Sequence, residues 1–434
     1  MSDLETHQAP PEALDFFTDA SLVPDPNPYF DELRSRCPVL REPHHGVIAV
    51  TGYDEAIAVY RDAAVYSSCN SPTGPFPGLP FVPEGDDIRE EIERHRDEYL
   101  LGEHLVTMDQ PQHTDNRELL RRLLTPSRLR ANEEFMWRLA DRQIDEFAAS
   151  GTCEVLRDYA KPFSLLVIAD LLGVPEEDHR AFRVHLGEQQ VGAMDADEQD
   201  EAGGNPLGFL EGRFTEYIED RRREPRGDVL TELAQATYPD GSTPDVIAVV
   251  RVATFLFAAG QDTSARLLAA AFRVLAERPD LQALLREDRS RIPAFVEETL
   301  RMEGPVKSDF RLARTTTKLG DVEIKAGTTV MILPGAANRD PLRFEAPHEF
   351  RVDRPNVREH LAFGRGIHSC PGGPLSRVEA RVSIERFMDR MSDIAISETA
   401  HGPADARRFT HEPTYILRGL TELHLEFDAS APLT

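Results

Sequence analysis

Residues 363–373 read Phe-Gly-Arg-Gly-Ile-His-Ser-Cys-Pro-Gly-Gly, and this stretch governs how the rest of the chain is read. Cys370 stands just ahead of a helix expected to begin near Gly372 and to cover 372–391. A thiolate there faces the positive end of the helix macrodipole and free backbone N–H groups, which lower a thiol's pKa and can hydrogen-bond its sulfur. Gly364, Gly366, Gly372 and Gly373 let the backbone turn tightly and approach a flat ligand. Phe363 can pack beside the sulfur and keep water away. A Gly-rich turn around an inert thiol would suffice for a lone Cys, since free Cys is commonly buried. The spaced pattern F-x-x-G-x-H-x-C-x-G is more demanding than a lone Cys.

The composition narrows the classes. The 434 residues include four Cys (Cys37, Cys69, Cys153 and Cys370) with no CxxC pair, which leaves zinc ribbons, thioredoxin-type pairs and ferredoxin-type clusters unsupported. Scattered Cys in a long chain read as reduced cytosolic thiols. There are 49 Lys and Arg against 76 Asp and Glu, a net charge of −27, which argues against nucleic-acid binding and against docking on anionic lipid. The polar, acidic N-terminus MSDLETHQAP lacks a signal peptide's basic start and apolar core. These features predict a cytoplasmic protein without a membrane segment.

Helical patterns dominate. Asn27-Pro28 is expected to cap and start a helix that Pro38 stops. A hairpin follows, with Val39-Leu40 and residues 47–50 around a turn at His45-Gly46. Residues 67–85 form a long loop rich in Ser, Pro and Gly that also carries Phe76, Leu79, Phe81 and Val82, a composition suited to a lid or binding loop. Residues 86–100 are a charged helical candidate, and helices are expected over 112–124, 131–149 and 160–172. Residues 195–206 read as an exposed, mobile connection. A long helix is expected from Pro244 to Glu277, capped by Thr243, with an apolar first half that marks it as central and buried. Another helix covers 288–302. Strands are expected at 322–324, 328–333, 414–417 and 421–427. The fold class is mainly α with a smaller β region. It divides into an N-terminal extension (1–26), a single domain (27–427) and a C-terminal tail (428–434).

Three further constellations each admit a bland account. Glu298 and Arg301 share a helix face and could be an ordinary ion pair worth about 0.2–0.5 kcal/mol. Ala259-Gly260-Gln261-Asp262-Thr263 puts a Gly and an Asp inside the long helix, where each costs stability unless packing or pairing offsets it. His113 and Arg117, four apart, could be a surface basic pair. Together, in this order and ahead of the Cys loop, they resemble the cytochrome P450 family. The Cys loop is similar to that family's haem-binding loop, Glu298 and Arg301 to its ExxR element, and Arg354 in the 350–354 segment to the Arg that completes the trio. Residues 337–341, Ala-Asn-Arg-Asp-Pro, also match. Gly373-Pro374 departs from many members, but Pro is tolerated in a first helical turn. The resemblance runs from about residue 27 to 427.

The resemblance implies the cytochrome P450 fold, with the long central helix over a haem b (iron protoporphyrin IX). It implies a haem-thiolate monooxygenase in which Cys370 ligates the iron. Phe363 and Gly372 would flank the sulfur, and His113, Arg117, Arg311 and His368 would bind the haem propionates. Gly260 would open a groove for dioxygen, with Thr263 and Asp262 passing protons. Glu298, Arg301 and Arg354 would hold the loop that carries Cys370. Electrons would come from NAD(P)H through a separate reductase and a ferredoxin, since the chain carries no dinucleotide fingerprint of its own. The substrate would be a hydrophobic small molecule, terpenoid-like, steroid-like or fatty, lined by Phe81, Val82, Phe255, Ala259, Val306 and Ile416. For each of these, core packing is an equal reading.

Arg117, Arg121, Arg122, Arg365, Arg377 and Arg381 cluster in segments with few acids near the Cys loop. They predict a basic island on an acidic, monomeric protein, suited to steering an acidic ferredoxin. The rivals are a hydrogen-peroxide-driven peroxygenase, which would not need Asp262-Thr263, a non-catalytic haem-binding sensor or carrier, and a cysteine hydrolase, which no catalytic spacing supports.

Overall fold

A computed structural model describes residues 13–186, 194 and 207–429; the expected connection at 195–206 lies outside them. Most of the chain is helical. The central helix, Val246–Glu277, packs against the helices Lys161–Leu172, Gly208–Arg223, Ile292–Glu303 and Gly373–Arg390. By length and apolar composition alone it could cross a bilayer. Here its residues 264–276 are nearly all buried in the core, and Arg251, Arg266 and Arg273 reach out to Glu103, Asp262 and Glu303. The Lys161–Leu172 helix is apolar on every side, carries Pro162 in its first turn, and ends at Gly173, whose φ of 72° suits the left-handed C-terminal cap.

The β region is small. Strands β1 (Val39–Arg41), β2 (Ile48–Val50), β3 (Tyr66–Ser67), β5 (Asp309–Ala313) and β8 (Thr329–Ile332) form one sheet in the order β1-β2-β8-β5-β3. The β1–β2 hairpin pairs Val39 with Val50, and β2 runs parallel to β8 with Ile48 opposite Val330. β4 (Thr152–Glu154), β10 (His424–Ala429) and β9 (Met391–Ile396) form a second sheet, with an irregularity between Glu426 and Asp428. β6 (Thr317–Leu319) and β7 (Val322–Ile324) pair with each other.

Several expected boundaries move. The central helix starts at Val246, because Thr243 precedes Pro244 and is biased to extended backbone; Asp245 takes the cap position without a side-chain bond. The helix expected from 131 starts at Pro126, where Thr125 caps it by accepting from the Arg128 N–H. Asn27 does not cap the first helix; Pro26 does, and the Asn27 amide donates to Asp25 at 2.6 Å. The 86–100 candidate shortens to Arg89–Arg94 and a 3₁₀ turn at Arg96–Glu98. Residues 414–417 form only an isolated bridge between Leu417 and Val306, and the last strand runs over His424–Ala429 rather than 421–427.

The ExxR trio is the best-ordered polar cluster in the core. Glu298, Arg301 and Arg354 are all buried. Arg354 Nε donates to both oxygens of Glu298 at 3.1 and 3.2 Å, and the Arg351 N–H adds a third donor at 2.9 Å. Arg301 Nη1 reaches the carbonyls of Asn338 and Pro347, and Arg354 reaches those of Glu345, Ala346 and Glu349. The trio thereby pins the 338–354 meander to the Ile292–Glu303 helix. Asn338 then passes the register to the Cys loop, its Oδ1 accepting from the Leu361 N–H at 2.6 Å.

Candidate functional site

The Cys loop turns sharply before its helix. Gly366 has φ of 76°, and a Cβ there would lie 2.2 Å from the Tyr60 carbonyl, so only glycine fits. The Cys370 N–H closes the loop by donating to the Phe363 carbonyl at 2.8 Å. The helix begins at Gly373 with Pro374 in its first turn. Cys370 presents its surface to a cavity of about 930 Å³ that is also walled by Phe363, His368, Arg311 and, on the central helix, Ala258, Ala259, Gln261, Asp262 and Thr263. Opposing influences act on the Cys370 thiol pKa. Burial pushes it up, and the Gly372 N–H, Arg117, the Gly373 N–H and Arg377 offset only part of that.

A cluster of nitrogen donors gathers beside the sulfur. The rings of His113 and His368 lie 4.2 Å apart, and the Nε2 of each is buried with no partner among the described residues. Burial and then Arg117 push His113 down to about 4; burial, Arg311, His113 and Arg117 hold His368 well below its ordinary value. Arg117 spans to the Ser369 carbonyl at 2.5 Å, and Arg311 donates to Asp309 at 2.8 Å beside Tyr60. Two unpartnered buried ring nitrogens beside two guanidinium groups suit a polar, anionic group better than they suit one another. With an apolar wall at Ala362 and Phe363 and a thiol facing the same space, the residues fit a flat apolar ring system with carboxylates at one edge and a metal at its centre.

The central helix contributes Phe255, Ala259, Asp262 and Thr263 to the cavity. Thr263 Oγ1 donates to the Ala259 carbonyl at 2.8 Å, the i−4 bond that a helical Thr makes in the absence of a better acceptor. Asp262 Oδ2 accepts from Arg266 Nε at 2.8 Å. Gly260 lies between Ala259 and Asp262 on the central helix. It is outside the cavity wall, and a Cβ there would meet Ile168 at 3.5 Å, because that face of the helix is turned to its neighbour.

Val306 and Ile416 line the cavity as expected. Phe81 and Val82 do not. Val82 is 79% exposed, and Phe81 packs with its ring 5.3 Å from that of His95. The 67–85 loop instead contributes Ser71 and Pro72. Sequence reasoning missed Leu101, Val106, Thr414, Leu417, Arg266 and Glu412, all of which face the cavity. Arg266 was findable, standing four residues after Asp262 on the same helix face. Nothing local marks Glu412.

Half of the expected basic island is neutralised by ion pairs. Arg121 pairs with Glu118 at 2.5 Å, Arg377 with Glu297 at 2.5 Å, and Arg381 with Glu133 and Glu385. Arg122 bonds the Thr237 carbonyl and Arg365 the carbonyls of Gly364 and Glu359. Of the six, Arg117, Arg122 and Arg365 are in no ion pair among the described residues.

Comparison with known proteins gives the following. Residues 206–415 match the family model described as cytochrome P450. Cytochrome P450 144 of Mycobacterium tuberculosis is 34% identical over 390 residues, covering 88% of this chain and 86% of that one. The 6-deoxyerythronolide B hydroxylase of Saccharopolyspora erythraea is 30% identical over 407 residues, covering 92% and 95%. The solved structure of Mycobacterium marinum cytochrome P450 CYP150A6, in its substrate-free form, is 64% identical with a TM-score of 0.91, covering 97% of this chain and 100% of that one.

Proposed function

The chain belongs to the cytochrome P450 family and is a monooxygenase, and on that premise we propose that Cys370 is the thiolate ligand of its haem b and that the cavity it faces takes a hydrophobic small molecule. The observation that carries the proposal is that the Cys370 thiol and the Asp262-Thr263 pair face one cavity with a largely apolar wall. When bound, the haem supplies dioxygen activation, with one oxygen atom entering a C–H or C=C bond of the substrate and the other leaving as water.

The chain's own residues do the rest. Phe363 excludes water from the sulfur, and the Gly372 and Gly373 N–H groups steady its charge. His113, His368 and the guanidinium groups of Arg117 and Arg311 hold the propionates by hydrogen bonds. Thr263 gives up its bond to the Ala259 carbonyl and turns its hydroxyl to the reacting oxygen. Asp262 takes a proton from cavity water at its carboxylate and passes it on. Phe255, Ala259, Val306 and Ile416 exclude water and orient an apolar substrate of terpenoid, steroid or fatty type. Electrons arrive from NAD(P)H through a reductase and a ferredoxin, which docks on the face carrying Arg122 and Arg365. Residues 27–427 act as one domain, and the protein works as a cytoplasmic monomer. The Asp262-Thr263 pair, which a peroxide-driven enzyme or a carrier would not need, favours the dioxygen-dependent reading.

The test is the absorption spectrum of the reduced, CO-bound protein. A strongly red-shifted Soret band, lost in Cys370→His, is expected. A histidine-type spectrum from haem-loaded parent protein sinks the ligand assignment.

A further inference from the structure

Arg266 joins two carboxylates from distant parts of the chain. Its Nε donates to Asp262 Oδ2 at 2.8 Å, one turn back on the central helix, and its Nη2 donates to Glu412 Oε2. Arg266 is only 6% exposed, and Asp262, Arg266 and Glu412 all face the same cavity. A Cβ at Gly419 would come within 2.6 Å of Arg266 Nη1, so the glycine makes room for the guanidinium. That Nη1 is buried without a partner among the described residues. Among the described residues the guanidinium is thus committed to these two carboxylates alone.

Glu412 is fixed in place by its own turn. Its N–H donates to the Gly419 carbonyl at 3.1 Å, and its carbonyl accepts from the Thr414 N–H at 2.9 Å. The same turn carries Ile416 and Leu417 to the cavity wall. Two carboxylates therefore share one cation at the cavity edge. With Glu412 charged, Arg266 divides its attraction between them. With Glu412 replaced by a neutral side chain, the whole cation falls on Asp262, whose carboxylate is then held harder in its ion pair.

We propose that Glu412 is a positioning residue for Asp262, drawing one arm of Arg266 away so that Asp262 can take a proton from cavity water and release it toward the reacting oxygen, returning to the carboxylate. This rests on the reading of Asp262 as the proton relay.

The test compares Glu412→Gln, Glu412→Asp, Asp262→Asn and the Glu412→Gln/Asp262→Asn double variant as haem-loaded proteins, with dioxygen and a surrogate ferredoxin and reductase and no organic substrate. Slow proton delivery releases dioxygen as peroxide, and fast delivery carries it to water. Glu412→Gln is expected to raise the peroxide-to-water ratio about fivefold, the size of a typical coupling between contacting residues, and to enlarge the solvent deuterium isotope effect. Glu412→Asp is expected to restore both, and Glu412→Gln is expected to add nothing in the Asp262→Asn background. A second readout needs no turnover: the infrared carboxylate band of Asp262, identified by its loss in Asp262→Asn, shifts in resting Glu412→Gln protein. If Asp262→Asn impairs proton delivery but Glu412→Gln adds its full effect on top, or the band does not move, the positioning role is overturned while the relay stands. If Asp262→Asn leaves the ratio and the isotope effect unchanged, the relay reading fails and this role fails with it.

Discussion

Arg301 and Glu298 form a two-armed ion pair, Nε to Oε2 and Nη2 to Oε1, both at 2.8 Å, with neither side chain reached by solvent. Arg354 closes on the same carboxylate, so removing any one member leaves buried charge uncompensated. Glu298→Gln and Arg354→Ala are each expected to cost about 3–5 kcal/mol. The measurement is the denaturant midpoint and the fraction of purified protein that retains haem. A change under about 1 kcal/mol would mean that the meander is held by other contacts.

Thr263 offers a different kind of test, because its hydroxyl at rest satisfies only a helix carbonyl. Thr263→Ala is expected to shift stability by less than about 1 kcal/mol. It should divert most reducing equivalents to peroxide, lowering product per NAD(P)H by about tenfold or more. Peroxide assay alongside product quantification checks both; unchanged coupling removes Thr263 from proton handling.

Glu379 lies buried on the Cys-loop helix. Burial pushes its carboxyl up from 4.5 to about 7, against a hydrogen bond with Ser264. A raised folded pKa means that its contribution to stability is complete below about pH 4.5 and is lost as pH rises through 7. Between pH 5 and pH 8 the parent should therefore lose up to about 3 kcal/mol on this account. Glu379→Gln should flatten that fall. Urea denaturation at the two pH values reads it, and equal slopes in both proteins would rule the assignment out.

Charge reversal separates the arginines near the Cys loop. Arg122→Glu is expected to weaken ferredoxin-supported turnover and its dependence on ionic strength more than Arg121→Glu, since Arg121 is already paired with Glu118. Equal effects would indicate that the ion pair does not screen Arg121.

The cavity wall predicts selective effects on ligand binding. Val306→Ala and Ile416→Ala should change the affinity of steroid and terpene probes, read from the haem spin-state shift, by about threefold to tenfold. Phe81→Ala, outside the wall, should not.

The sequence alone carried the Cys370 loop, the Glu298–Arg301–Arg354 trio, the Asp262-Thr263 step and the mainly helical class. These are short-range signals: glycines that a tight turn requires, residues three or four apart on one helix face, and an apolar run too continuous for a surface helix. Only the tertiary structure decided the rest. It put Phe81 and Val82 outside the cavity and Glu412 inside, because a wall is built from loops whose packing no local pattern encodes. It brought Glu297 onto Arg377 and Glu133 onto Arg381 across long stretches of sequence, neutralising part of the basic island.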